Sequence, residues 1–300
     1  MFKCYSVDIG GTLISQIHNQ SVSTDLAEVY EKLDNSVYNT FHAIGNQQDT
    51  FSFTTTMVST ALSKITADGF KIGGTGNTLT AYFQQRAKGG RFEGANKHLK
   101  ITATEGLLLP RTLAAESNQP ATLDAEFIAI YDESNDPLVF LKNQSLAGDP
   151  TAAELFTAGA MKDGEGFVNK IQSINIDFGI SAPLESPDGI GRPTFISINE
   201  IQPVITITTN DIDVLDTYET KGVKKDNGAI VIFLRAFNSG GIREADNTEK
   251  HIKITVGECR VHASEGSGDR DGNATAVIRI VPVYDGTNNP LQMAYDQKIA

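Results

Sequence analysis

Three hundred residues, 40% of them hydrophobic, supply enough apolar material for two cores on the usual domain-size scale. The net charge of −12 comes without any basic stripe, which argues against a tight nucleic-acid binder. Two cysteines, Cys4 and Cys259, sit in no CxxC or Cys/His spacing, which argues against a disulfide framework or a zinc site.

The start, "MFKCYSVDIGG", has no apolar stretch of signal-peptide type, and no run approaches the roughly 18 apolar residues of a membrane helix. Neither a leader nor a span is expected, and the Asn-x-Ser/Thr triplets at Asn19, Asn143 and Asn273 then carry no glycan. From Asp25 the apolar positions Leu26, Val29, Tyr30, Leu33 and Val37 lie on one face of a three-turn helix, with Ser23 or Thr24 as its cap. That helix either covers its own core or serves as an assembly arm on a neighbour. "FSFTTT" alternates as a strand does. A helix follows on Val58, Leu62 and Ile65, with Thr56 as cap and Gly69 as its end. "TAYFQQ", "KHLKIT" and "EFIAIYD" are further strands bounded by Gly, Asn, Asp and Pro. Residues 146–170 read as a linker holding one short helix, opened by Asp149 and Pro150 and closed at Gly164 or Gly166. Beyond it come "ITITTN", a helix on Ile212, Leu215 and Tyr218 between Asn210 and Gly222, and the strands "AIVIFLRAF", "KHIKIT" and "VIRIVPVYD".

The second set repeats the first. Phe41–Thr56 lies over Phe195–Asn210 (195 − 41 = 154) and Thr80–Gly90 over Val231–Gly241 (231 − 80 = 151). "KHLKIT" from Lys97 lies over "KHIKIT" from Lys250 (250 − 97 = 153), and Asp124–Leu138 over Val277–Leu291 (277 − 124 = 153). "VDIGG" at Val7 resembles "IDFGI" at Ile176 (176 − 7 = 169), which implies about 15 extra residues between Gly11 and Thr40 of the first copy. The expected fold is mainly β: two tandem homologous antiparallel β-sandwich units, residues 1–145 and 171–300, each with one short flanking α-helix. Strand alternation places His98, Lys100 and Thr102 on the outward face of the first hexapeptide, and His251, Lys253 and Thr255 on that of the second. Their identity reflects either incomplete divergence and a Lys-guarded edge, or the same kind of neighbour met twice around a ring.

Chemistry-bearing motifs are scarce. The five histidines form no HExxH or HxH, and there is no GxSxG or P-loop. "GGTGNT" at Gly73 lacks the Lys-Ser/Thr of a phosphate cradle. "DESND" (Asp132–Asp136) and "GDRDGN" (Gly268–Asn273) alternate carboxylates as calcium loops do, without the later bidentate Glu, and both fall where turns are expected. Nothing nominates a nucleophile or an acid–base pair. No catalytic residue, cofactor or metal is expected.

The order of elements, with "TAYFQQRAKGG" followed by "KHLKITATEGLLLPRTLAA", resembles the tail-tube proteins of long-tailed, siphovirus-type bacteriophages, in the variant with two tube domains per chain. The resemblance covers most of both units. It implies a virion structural protein in the tail, assembled in the host cytoplasm. Three chains would form a pseudo-six-fold ring whose inner sheets join into a barrel, and rings would stack. DNA would pass through the lumen without specific binding, other tail proteins would be partners, and no membrane would be involved. Residues Gly11–Thr40 match the family's stacking loop, with Leu26, Val29, Tyr30 and Leu33 as assembly residues. The hairpins at Gly89/Gly90 and Gly240/Gly241 would face a neighbour or the lumen. The short second loop, Ile180–Pro193, departs from the pattern. A hub, adaptor or decoration protein of a virus particle, or a two-module ligand-binding protein, are the alternatives.

Overall fold

The computed structural model describes every residue except 1, 35–36, 68–69, 74–76, 88, 91, 149–154, 165, 169, 188–190, 219–221, 239, 266–273 and 300. The first half contains β1 (Phe2–Ile9), β2 (Thr12–Ile14), β3 (Ile17–Glu31), β4 (Phe41–Thr55), α1 (Val58–Ala67), β5 (Lys71–Ile72), β6 (Leu79–Gln85), β7 (His98–Ala103), β8 (Glu105–Glu116), β9 (Gln119–Ile130) and β10 (Leu138–Gln144). The second contains β11 (Leu155–Asp163), β12 (Gly166–Val168), β13 (Ile171–Asp177), β14 (Ile180–Ser181), β15 (Leu184–Glu185), β16 (Phe195–Ile196), β17 (Glu200–Ile201) and β18 (Val204–Thr209). It continues with α2 (Val214–Thr217), β19 (Val223–Lys225), β20 (Ile230–Phe237), β21 (His251–Val256), β22 (Cys259–Glu265), β23 (Ala276–Pro282) and β24 (Leu291–Gln297).

The fold is mainly β, and its pairings are antiparallel and duplicated. One small sheet runs β10-β7-β6-β1-β2, and its counterpart runs β24-β21-β20-β11-β12. The large sheet runs β3-β4-β9-β8 in the first unit and continues into β13-β18-β23-β22-β19 of the second, with β5 also on β8. Each unit is a sandwich of a small sheet on its half of the large one. Phe51 of β4 meets Phe83 of β6 edge to face at 6.5 Å across the first interior. Burying such alternating apolar faces is what drives strands of this composition into layers. One continuous core cluster spans both units.

Helix α1 places Val58, Leu62 and Ile65 in the core, as its spacing predicts. It closes one end of the first sandwich, where Ile65 and Ile9 line one hollow with Leu108. Thr56 is not its cap, since the hydroxyl donates to Gln16 instead. Helix α2 is a single turn of 4 residues. Asp213, not Asn210, stands at its cap position, and Ile212 is exposed.

Larger expectations are corrected as well. Residues 25–34 form no helix: Leu26, Val29 and Tyr30 lie in β3, paired with Gln47, Ala43 and His42 of β4. Their three-and-four spacing becomes two strand faces, with Leu26 and Tyr30 on one and Val29 on the other. The described residues of the supposed linker are not helical either. Residues 155–163 are β11, paired with β20 from Leu155↔Phe237 to Asp163↔Ile230, and the expected caps Asp149 and Pro150 lie outside the described residues. The counterpart of β1 is β11 (163 − 9 = 154), not the stretch at Ile176, so the second sandwich begins with this strand.

The 15-residue insertion also disappears. Ile17 pairs Thr55 as Ile171 pairs Thr209, at a uniform offset (171 − 17 = 209 − 55 = 154). Both units therefore carry an equally long hairpin arm between their third and fourth strands. The first arm is two unbroken strands, and the second is broken into β13-β14-β15 and β16-β17-β18. Gly179 makes the first break with φ +56, and a Cβ there would lie 2.0 Å from the carbonyl oxygen of Gln202.

Candidate assembly interface

The seam between the units is a strand-to-strand joint. β13 pairs β8 from Ser173↔Glu116 to Asp177↔Thr112. Backbone bonds extend it at both ends: Ser117 N–H donates to Gln172 O at 2.8 Å, and Phe178 N–H to Arg111 O at 3.0 Å. Arg111 forms a bulge, and its guanidinium bonds Ile180 O at 2.7 Å and Glu126 at 2.6 Å.

Beyond the seam the second arm lies over the β8–β9 end of the sheet. Leu107, Leu109 and Ile128 alternate to that outer face and are nonetheless buried. Phe178 and Ile180 are buried with them, and Ala182, Leu184 and Ile196 pack against the core. Near the arm's tip, Gly191 O accepts Gln47 N–H and Pro193 O accepts Tyr131 N–H, both at 2.8 Å. Arg192 stacks over the Tyr131 ring at 5.5 Å and pairs with Asp136 at 2.6 Å.

The joint uses different edges of the two units, the β3-type edge of the second and the β8-type edge of the first. Among the described residues, nothing pairs with the outer edge of β3, and β22 has only β23 beyond Val261, because β19 covers Cys259–Val261 alone. Among the described residues the large sheet thus leaves free the outer edge of β3 and the edge of β22 at His262–Glu265, of the same two types that meet at the seam.

Apart from the Gln47 bond, the first arm is marked by exposed apolar side chains. Leu33 (69% exposed), Val37 (80%) and Phe41 (53%) stand at its distal end, while Leu26, Val29 and Tyr30 are also exposed along β3. Tyr30 stacks on His42 at 4.7 Å and donates to Glu28, which lies 3.8 Å from His42.

The hexapeptide trio divides. His98 and His251 are buried, contrary to the expected outward face. In the second unit the loop between β20 and β21 reaches this end of the small sheet, with Ala245 O 3.0 Å from His251 Nε2. His98 Nδ1 accepts Gln85 N–H at 3.2 Å, and His251 Nδ1 accepts Ala236 N–H at 3.1 Å. Strand parity gives the face but not what covers it. Lys100 and Lys253 are half-buried across from Tyr82 and Phe233, and Thr102 and Thr255 are half-buried beside them. The trio is thus tied into its own unit rather than standing with the exposed arm.

Of the two acidic turns that suggested calcium, the one at 268–273 lies outside the described residues. In the other turn Asp132 accepts backbone N–H from Ser134 and Asn135 and the Asn135 side-chain amide at 2.9 Å. Asp285 repeats the arrangement with Thr287 and Asn288. These bonds, the side-chain amide first, hold both carboxyls below the usual range and close Asx turns. Residues 74–76 of the Gly-rich stretch from Gly73 also lie outside the described residues. Among the described residues no three His, Cys, Asp or Glu side chains gather as a metal site would need, and no helix is long and apolar enough to cross a membrane.

The seam, the arms and the free edges were not legible from motif spacing. The one available signal was the uniform 154-residue offset. No protein-family model matches the chain, and no curated protein matches it in sequence.

Proposed function

We propose that the chain is a ring-forming structural protein whose copies join head to tail, in the manner of a phage tail tube. The observation that carries this reading is the β8–β13 seam. A heterologous joint leaves one unlike edge at each end, and repeating it between chains either closes a ring or runs on as a helix. Pairing β22 of one copy with β3 of the next would extend the large sheet around a channel and remove the exposed edges that otherwise invite aggregation. With two units per chain, three chains give the pseudo-six-fold ring that the resemblance implies, and the acidic charge suits a lumen that DNA traverses without adhering. Neither a cofactor nor catalysis is part of this function.

Negative-stain microscopy and light scattering of the purified chain test it. Rings of three chains, stacking into tubes, are the expected result. A discrete ring that never stacks would turn the reading to a hub or adaptor. A strict monomer at high concentration in every salt would overturn it.

A further inference from the structure

We propose that the exposed first arm seats on the outer face of the second unit of another copy of this chain, in the geometry by which the second arm seats on the first unit. The proposal rests on the head-to-tail reading above and specifies what meets what. The two arms correspond residue by residue (171 − 17 = 154), yet one is docked and the other is not. Ile180 and Leu184 of the second arm, both packed against the core, correspond to Leu26 (40% exposed) and Tyr30 (51% exposed) of the first.

The receiving surface shows the same asymmetry. Tyr131, covered by Arg192 and Pro193, corresponds to Tyr284, which is 62% exposed with Val283 beside it at 48%. The arm and its seat cannot be brought together by the seam within one chain, because β3 and β22 lie towards opposite ends of the large sheet.

Two charge changes are reciprocal. The first arm carries Glu28 where the second carries Ala182, and the second unit carries Arg279 where the first carries Glu126 (182 − 28 = 154; 279 − 126 = 153). Arg279 is exposed and lies across from His262, with exposed Arg260 two residues along the same strand face. An apolar and acidic arm thus faces an apolar and basic seat, where the intrachain pair is mostly apolar. Like would not dock on like, which steers the first arm to a second unit. At its tip, Asn39 corresponds to Pro193, so its carbonyl would accept Tyr284 N–H of the neighbour as Pro193 accepts Tyr131.

The test mixes two single variants, Asn39→Cys and Tyr284→Cys, under a mild oxidant and measures assembled mass on the same samples. Cys4 and Cys259 are buried and stay out of the reaction. A covalent two-chain product found in the mixture, and absent from either variant alone, is expected. Assemblies that form without this product overturn the docking and leave the ring reading intact, whereas a chain that never assembles overturns both. In parallel, Glu28→Arg and Arg279→Glu should each weaken assembly about tenfold and the double variant should recover it. Losses that merely add overturn the charge pairing.

Discussion

His98 and His251 hold the same station in the two units, each accepting through Nδ1 a backbone N–H from the end of the neighbouring strand, at Gln85 and Ala236. In the second unit Nε2 also lies 3.0 Å from Ala245 O, so that nitrogen donates and the ring is a neutral bridge between strand and loop. His251→Ala leaves a buried donor and acceptor unmatched and should cost about 1–3 kcal/mol. Urea unfolding of the variant measures it. His98→Ala, with one such bond, should cost less, and equal costs would contradict this account.

A second prediction concerns the sandwich ends. In the first unit Ile9, Ile65 and Ile72 fill the space near α1, all buried. Their counterparts are Asp163, Tyr218 and Lys225, where the Asp163 carboxylate accepts from the Tyr218 hydroxyl and the Lys225 ammonium, both at 2.7 Å. Burial and this carboxylate push the Tyr218 phenol far up. Asp163→Ala strands both partners and should destabilise by about 2 kcal/mol. The triple replacement by isoleucine should be much milder, since the first unit already tolerates that trio. Thermal unfolding of both variants decides.

The thiols give a pH test. Burial pushes Cys4 up to about 12 and Cys259 up to about 11, from the ordinary 9.0. Both side chains should resist a thiol reagent at pH 8 in the folded chain and react on unfolding. A raised folded value means that the protonated form is favoured by folding. Its contribution is complete below pH 9.0 and is lost as pH rises through 11 and 12. Stability should therefore fall in alkali, and labelling at pH 8 without denaturant would contradict the burial.

The Asx turns act in the opposite direction. Asp132 and Asp285 are lowered from 3.8, so their contribution is present above that pH and is lost as pH falls through the lowered values. Asp132→Asn and Asp285→Asn should lose part of the stability at pH 7 and become less acid-sensitive than the parent. An unchanged acid profile would show that the turns do not matter.

What the sequence revealed follows from which interactions are local. Alternation in "ITITTN" and the spacing of Val58, Leu62 and Ile65 report a residue's own element, and both were legible. Leu26, Val29 and Tyr30 misled because a long two-stranded arm with no sheet beneath its distal half need not alternate cleanly, and its apolar residues then mimic a helix face. The linker failed for a related reason: Leu155–Asp163 gains strand structure from β20, some 70 residues onward, and short-range spacing carries no trace of such a partner. The histidines failed because each ring is held inside its own unit by a backbone N–H of the neighbouring strand, at Gln85 or Ala236.

The docked arm supplies the last prediction. Gly179 lets the second arm turn off β13 and run over the first unit, donating its N–H to Asp177 and accepting from Gln202. An alanine there meets both a left-handed backbone, φ +56, and the Gln202 carbonyl. Gly179→Ala should cost about 2–4 kcal/mol, and the loss should appear first where the arm is seated. Hydrogen exchange at Gln47 and Tyr131, whose N–H groups are held by Gly191 and Pro193, should accelerate well before exchange along the inner strands β18 and β23. If the arm is seated independently of its kink, those two amides will stay as protected as in the parent. The turn would then be a consequence of docking rather than its cause.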